Sequence, residues 1–390
     1  MDDQPPVPEA VKAPPPLPPL MPPPIISPPP PPRGRGNVVW KVLALVFLAL
    51  LLLSLLSNAL SFTHGVIPHS RASADRARAL EEFVLEHTNS DNKIAVIEVQ
   101  GVISGGEVDR SDMNMVEYMD EQLKMAERDS DVKAVILKVD SPGGEVLASD
   151  EINNLLAKFQ ERSHKPVIAS MQSLAASGGY YISAPCRWIV ANELTLTGSI
   201  GVIMHGYNYR QLMDKVGIRP QVFKSGRFKD MLSGEREPDD DKLTADERKN
   251  RDEEDRMVQS FIDQTYDKFK SVVKSGRQRA ASENNGKGKA LVDNWEAYAD
   301  GRVLSGKEAL QYGFVDELGD FDAAVKRAQS LANVASASLV EYRIPFDLGS
   351  VLSHIFGKSD APAIKVDLGL ELPRLKAGQP YYIAPMSILH

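Results

Sequence analysis

Between residues 38 and 60 the chain is apolar apart from Lys41, Ser54, Ser57 and Asn58, and it is rich in leucine. As a helix this stretch would reach about 34 Å, enough to cross a hydrocarbon core of about 30 Å. A helix at the surface of a soluble core would alternate with a polar face, and none is visible here. The pattern predicts an uncleaved transmembrane helix over 38–60. The competing reading is a cleaved leader, with Ser57-Asn58-Ala59 as its small-x-small site. Leaders have short basic starts and apolar stretches of about 7–15 residues, whereas here a long segment precedes a longer apolar one. Past residue 90 the pattern changes. Compact runs rich in β-branched residues at 94–99 (IAVIEV), 132–139, 167–170, 188–191 and 221–223 predict strands. Helical spacing separates them at 114–128, 149–160, 177–183 and 207–216. Strands alternating with helices predict an α/β domain with a parallel sheet and right-handed crossovers. Over 235–275 the chain is highly charged but carries Met257, Phe261, Ile262 and Tyr266 at helical spacing, which predicts a long amphipathic helix with a solvated face.

Composition adds the ends and removes some functions. Residues 1–32 hold sixteen of the 27 prolines, so residues 1–37 read as an extended, disordered tail that could dock on a proline-binding module. Arg33, Arg35 and Lys41 lie nearer the apolar stretch than Arg71, Arg76 and Arg78 do. That asymmetry predicts a cytoplasmic N-terminus and an extracytoplasmic body. The resulting division is tail 1–37, membrane helix 38–60, linker 61–90, catalytic domain 91–335 and a C-terminal extension 336–390. The net charge is −8, and no basic stripe with interleaved aromatics occurs, which argues against nucleic acid as a partner. One cysteine, Cys186, allows no intramolecular disulfide, and no Cys/His spacing suggests zinc.

Three short glycine-bearing segments sit at predicted strand ends. Asp140-Ser141-Pro142-Gly143-Gly144 follows the strand ending at Val139, where glycines let bare backbone N–H groups approach a ligand near a helix start. Ala175-Ala176-Ser177-Gly178-Gly179-Tyr180-Tyr181 puts a serine among small residues at a strand-to-helix turn. This has the logic of a nucleophile elbow without the G-x-S-x-G pattern, and the segment alone leaves a helix-capping serine equally open. Thr197-Gly198-Ser199-Ile200-Gly201 is followed by Lys224-Ser225-Gly226-Arg227-Phe228-Lys229-Asp230. A serine needs a base to attack. A lysine serves only when neutral, and lowering its pKa from about 10.4 to about 7 costs roughly 4.6 kcal/mol.

Taken in order, with Gly301-Arg302-Val303-Leu304-Ser305-Gly306, Ala309 and the YGFVDELG run at 312–319, these segments resemble the signal peptide peptidase A family of membrane-bound bacterial serine peptidases. The resemblance covers about 94–328. It implies a crotonase/Clp-peptidase-like fold and a serine–lysine dyad. It matches Ser177 to the nucleophile, Lys229 to the general base and Ser199 to the hydroxyl that positions the amine. Gly144 and Gly178 match the oxyanion donors, with Gly143 as a further candidate. It implies an endopeptidase of remnant signal peptides at the bacterial inner membrane, with no metal or cofactor and with small or apolar side chains preferred near the cleaved bond. In long family members the lysine and serine motifs lie in different tandem halves. The single copy here therefore implies a homo-oligomer in which Lys229 reaches Ser177 of a neighbouring protomer. Two alternatives remain open at this stage. One is a serine–histidine–aspartate peptidase using His205, and the other is a non-catalytic membrane scaffold.

Overall fold

The computed structural model describes residues 80–106, 113–345 and 380–383, together with Lys41, Leu43, Leu45, Phe47 and Leu48. The chain divides into two units, Met1–Ala72 and Ser73–His390. In the first unit the five described residues are helical and exposed. The rest of the expected membrane span, the proline-rich tail and most of the C-terminal extension lie outside the described residues. Among the described residues no helix is long and apolar enough to cross a membrane.

The second unit is an α/β structure built on a sheet rich in parallel pairs. Strand β1 (Glu81–Glu86) precedes β2 (Lys93–Gln100), α1 (Met115–Arg128), β3 (Val132–Ser141), β4 (Gly143–Glu145) and α2 (Val146–Ser163). Then come β5 (Val167–Ala176), α3 (Gly178–Ser183), β6 (Trp188–Ala191), β7 (Leu196–Gly198), β8 (Ile203–Met204) and α4 (Arg210–Lys215). The remainder is α5 (Ala245–Glu283), β9 (Val303–Ser305), α6 (Gly306–Tyr312), β10 (Glu317–Leu318), α7 (Phe321–Leu331), β11 (Ser338–Arg343) and β12 (Pro380–Ile383). The main sheet runs β1-β11-β2-β3-β5-β6-β10, with β7 pairing β5 and β9. Within this sheet every pair from β11 through β10 is parallel, and β1–β11 and β7–β9 are antiparallel.

Burial on both faces explains why the central strands read as unbroken apolar runs. In β2, Ala95, Ile97 and Val99 join the larger core beneath α1, α2 and α3, while Ile94 and Val96 join Ala324 and Ala328 of α7 on the other face. Strand β5 extends beyond the expected 167–170. It pairs with β6 as far as Met171 and with β7 from Leu174 onward, so the polar Gln172 and Ser173 mark a change of partner rather than an end. The strands β1 and β11 lie outside the expected 91–335 bounds yet belong to the main sheet. An edge strand with every residue exposed, such as EEFVLE, carries little hydrophobic signal.

Two expectations change in the segment after β8. Residues 221–223 form no strand; they are irregular and exposed. The helix expected over 207–216 shrinks to α4, and the one expected over 235–275 starts at Ala245, where a Thr244/Glu247 capping box sets its first turn. At 39 residues α5 is about 58 Å long. Its N-terminal half is largely solvated, and Phe269, Val272, Val273 and Arg277 of its C-terminal half are buried. Arg277 pairs with Asp316, both side chains 1% exposed, and Asp316 also accepts the Ile189 and Lys289 amides. Cys186 is buried and free, and burial pushes its thiol far above the ordinary range.

Candidate active site

Strand β5 ends at Ala176, and the chain turns into α3 through Ser177 at φ 54°, ψ −116°. A residue with a Cβ pays about 1–3 kcal/mol for such a backbone, so the surroundings must hold it. They do so from both sides: the Ser177 amide donates to Gly198 O at 2.8 Å, and the Tyr181 amide donates to Ser177 O at 2.8 Å. The hydroxyl makes no capping hydrogen bond to α3, so the capping reading falls. Ser177 is only 1% exposed.

Gly143, at φ +98°, and Gly144 sit directly against this turn. A Cβ placed on Gly178 would come within 2.8 Å of Ser149 Oγ and 3.0 Å of both Gly143 Cα and Gly144 N. Only glycines let the two backbones approach so closely. The Gly143 amide already donates to Ser141 Oγ at 3.1 Å, and Ser141 in turn donates to Gly101 O at 2.6 Å. As the first residue of α3, Gly178 has an amide that no helical carbonyl can accept. Gly143 and Gly144 thus both lie against Gly178, and of the two the Gly143 amide is already engaged with a side chain.

Ser199 follows Gly198, the residue whose carbonyl holds Ser177. It is 4% exposed at φ 49°, with its amide donating to Arg302 O at 2.7 Å. One knot of backbone thus joins Ser177, Gly178, Gly143, Gly144 and Ser199. Lys229 is not part of it. It lies in an exposed turn, its amide donating to Gly226 O at 3.2 Å. Neighbouring cations are engaged: Lys224 with Asp230 at 2.7 Å, Arg227 with Glu253 at 2.9 Å, and Arg236 with Glu254. Partial burial works upward on the Asp230 carboxyl, but Lys224 and Arg236 outweigh it and hold it below the usual range. The Lys229 ammonium has no such partner among the described residues. His205 is exposed just past β8, likewise with no hydrogen-bonded carboxylate among the described residues. No group of three or more His, Cys, Asp or Glu is placed to hold a metal among the described residues.

One neighbour of these glycines leaves little trace in the sequence. Strand β12 inserts between β4 and β8, antiparallel to both, so that Tyr382 stands opposite Gly144 and Tyr381 opposite Ile203. Its only sequence signal is a short apolar run, PYYI, inside a segment the expected domain bounds exclude.

Residues 159–335 match the family model for Peptidase family S49. A putative signal peptide peptidase SppA of Enterococcus faecium is 35% identical over 268 residues, covering 68% of this chain and 71% of that protein. The chain belongs to the signal peptide peptidase SppA family, within peptidase family S49. It is a serine-type peptidase, and its substrates are peptides. Protease 4 of Haemophilus influenzae is a longer SppA-type relative, 35% identical over 66% of this chain but only 38% of its own length. Among solved structures, a membrane-bound stomatin-specific protease in complex with a substrate peptide is similar at a TM-score of 0.36 and 17% identity, covering 68% of this chain and 97% of that one.

Proposed function

We propose that this SppA-family member is a membrane-anchored endopeptidase on a crotonase/Clp-peptidase-like framework, with Ser177 as nucleophile and Lys229 as base, which cleaves remnant signal peptides after their release. The observation that carries the reading is the backbone of Ser177 itself. A non-glycine residue at φ 54°, ψ −116°, with an uncapped hydroxyl next to two glycine amides, is a strained arrangement that a merely structural serine would not need. In the proposed reaction Ser177 Oγ attacks the scissile carbonyl carbon as Lys229 Nζ accepts the hydroxyl proton. The Gly144 and Gly178 amides take the oxyanion. Collapse breaks the C–N bond, and the lysine returns its proton to the departing amine. Water, deprotonated by the same amine, then hydrolyses the acyl-enzyme and regenerates Ser177. Ser199 holds the amine in line.

For Lys229 the base role requires a second copy of the chain. Its arm is open to solvent and carries Tyr207, Leu212, Val216, Ile218, Val222 and Phe223 exposed, with Phe223 at 93%. An apolar band of this kind favours association. Covering it with a neighbour would strip water from the amine, and desolvation favours the neutral, basic form. The membrane anchor, expected over 38–60, and the inner-membrane location with a cytoplasmic N-terminus rest on the hydropathy and charge pattern alone.

Mixing inactive variants tests this reading. Ser177→Ala and Lys229→Ala should each abolish hydrolysis of a signal-peptide substrate and leave the oligomer intact. Co-expressed, they should recover about one quarter of the activity, since random head-to-tail mixing leaves about one site in four with both groups. No recovery would remove the shared site. Full activity of Lys229→Ala, or loss with His205→Ala instead, would remove the lysine as base.

A further inference from the structure

In the N-terminal half of α5 a single residue is buried, and it is a carboxylate: Glu254, 4% exposed. Burying a charge is costly unless a group of opposite sign meets it. Arg236 Nη1 donates to Glu254 Oε2, while Glu254 Oε1 is buried with no hydrogen-bond partner among the described residues. A buried carboxylate with one oxygen idle is a poor device for stability alone. Its use lies in what it does to Arg236.

Held by α5 on one side, Arg236 also accepts Asn208 Nδ2 at its carbonyl, at 3.0 Å. Its Nε then lies 3.9 Å from Asp230 Oδ2, and Lys224 Nζ donates to Asp230 Oδ1 at 2.7 Å. Both oxygens of Asp230 therefore face a cation. Asp230 is the residue that follows Lys229. A carboxylate beside an amine favours the ammonium form, and an ammonium cannot accept a proton from serine. The other charges around the turn are mostly engaged elsewhere. Arg227 stacks on Phe228 at 4.1 Å and pairs with Glu253 of α5 at 2.9 Å, with Asn250 at 3.3 Å. Glu237 takes Lys242 at 3.5 Å, Arg251 of α5 takes Asp240 at 2.7 Å, and Glu235 has no ion pair among the described residues. The Tyr209 ring closes the far side of the loop against Gly234.

We propose that Arg236, fastened by Glu254 and helped by Lys224, is a positioning residue for the base: it holds the Asp230 carboxylate away from Lys229, so that the amine can lose its proton. The proposal rests on the reading of Lys229 as base, and adds what keeps the adjacent carboxylate from opposing that role. Arg236 and Glu254 touch no substrate and carry no proton. Their effect grows when a neighbouring copy covers the arm, because charge interactions strengthen as water leaves. An uncommitted Asp230 would then grip the ammonium most firmly just where a neutral amine is needed.

The test follows the acid limb of kcat/KM against pH, which reports the base of the free enzyme, with the full chain in detergent and a signal-peptide substrate. Arg236→Gln by itself would leave Glu254 buried without a cation, so it is combined with Glu254→Gln. This double variant should move the acid limb up by about one pH unit. Below the limb kcat/KM then falls about tenfold, while the plateau at high pH is kept. Adding Asp230→Asn should bring the limb back by about one unit in that background, yet shift it by less than about 0.3 unit in the unaltered chain. If the double variant does not fold, Lys224→Gln, on the exposed side, should move the limb in the same direction and respond to Asp230→Asn in the same way. A merely structural role would lower the plateau and ignore Asp230→Asn. An unmoved limb, or an equal Asp230→Asn shift in both backgrounds, would overturn the role of Arg236, and inactivity of Lys229→Ala would leave the base standing. Full activity of Lys229→Ala would overturn the two together.

Discussion

From 175 to 186, around Ser177, every residue is buried; from 205 to 232, around Lys229, only Arg210, Met213, Pro220, Phe228 and Asp230 are even half-buried. The first region is finished within one chain. Its backbone strain at Ser177 is held by bonds to Gly198 and Tyr181, and its aromatic rings pack edge-on, Tyr180 against Phe314 and Tyr181 against Phe269. The second region is unfinished. It has the apolar content of a core and the exposure of a surface, and of its ion pairs Lys224–Asp230 closes within the arm while Arg227–Glu253 ties it to α5. The difference teaches that folding and catalysis ask for separate things here. The strained turn of Ser177, the proposed nucleophile, depends on intramolecular packing, while the proposed role of Lys229 as base asks for an intermolecular surface.

The sharpest way to break that contrast is at its two chemical ends. Ser177→Ala and Lys229→Ala should each lower kcat by about 10⁴-fold or more, measured on a signal-peptide substrate, with thermal unfolding unchanged. Ser177→Gly should be equally inactive but more stable, by about 1 kcal/mol in denaturant melts, because glycine accepts the positive φ without strain. A less stable glycine variant would mean that the turn is not strained.

Substitution within the finished region comes next. Asp316→Ala strands the buried Arg277 guanidinium, whose Nε and Nη1 already lack partners, and should cost about 3–5 kcal/mol in urea unfolding. Gly178→Ala would drive a Cβ against Ser149 and the Gly143–Gly144 backbone, costing about 1–3 kcal/mol and about 100-fold in kcat as the paired amides separate.

On the arm the same size of change should pass almost unnoticed by the protomer. Phe223→Ser should leave unfolding within about 0.5 kcal/mol while it lowers the mass of the proposed oligomer in sedimentation and, with it, activity. Glu253→Ala, which frees the exposed Arg227, should change stability by less than about 1 kcal/mol. An arm variant that melted the protomer would show that the two regions are one.

The elbow was legible because its parts are contiguous: a strand, two alanines, a serine and two glycines, with the glycine pair at 143–144 marking the second wall. The α/β alternation was legible because buried strands must be apolar on both faces. Residues 221–223 misled because β-branched and aromatic side chains predict a strand only where an edge receives them, and among the described residues they pair with none. Arg277 resembled any other charge on a long polar helix, since the face that α5 buries depends on where Asp316 arrives from a distant loop. Gly144 and Tyr382 meet only because the chain returns after its last sheet strand to a slot between β4 and β8.

The sequence alone determined the class of fold, the family, and the residues around which the chemistry is proposed, because each is written in local periodicity or in a short run of neighbours. Tertiary structure decided that Ser177 sits under strain with its hydroxyl uncapped, that Gly143 and Gly144 both press against Gly178, and that β12 pairs with the strand that carries them. Those outcomes depend on which distant backbones come within a few ångströms of each other, and close approach between remote segments leaves no periodic trace along a chain.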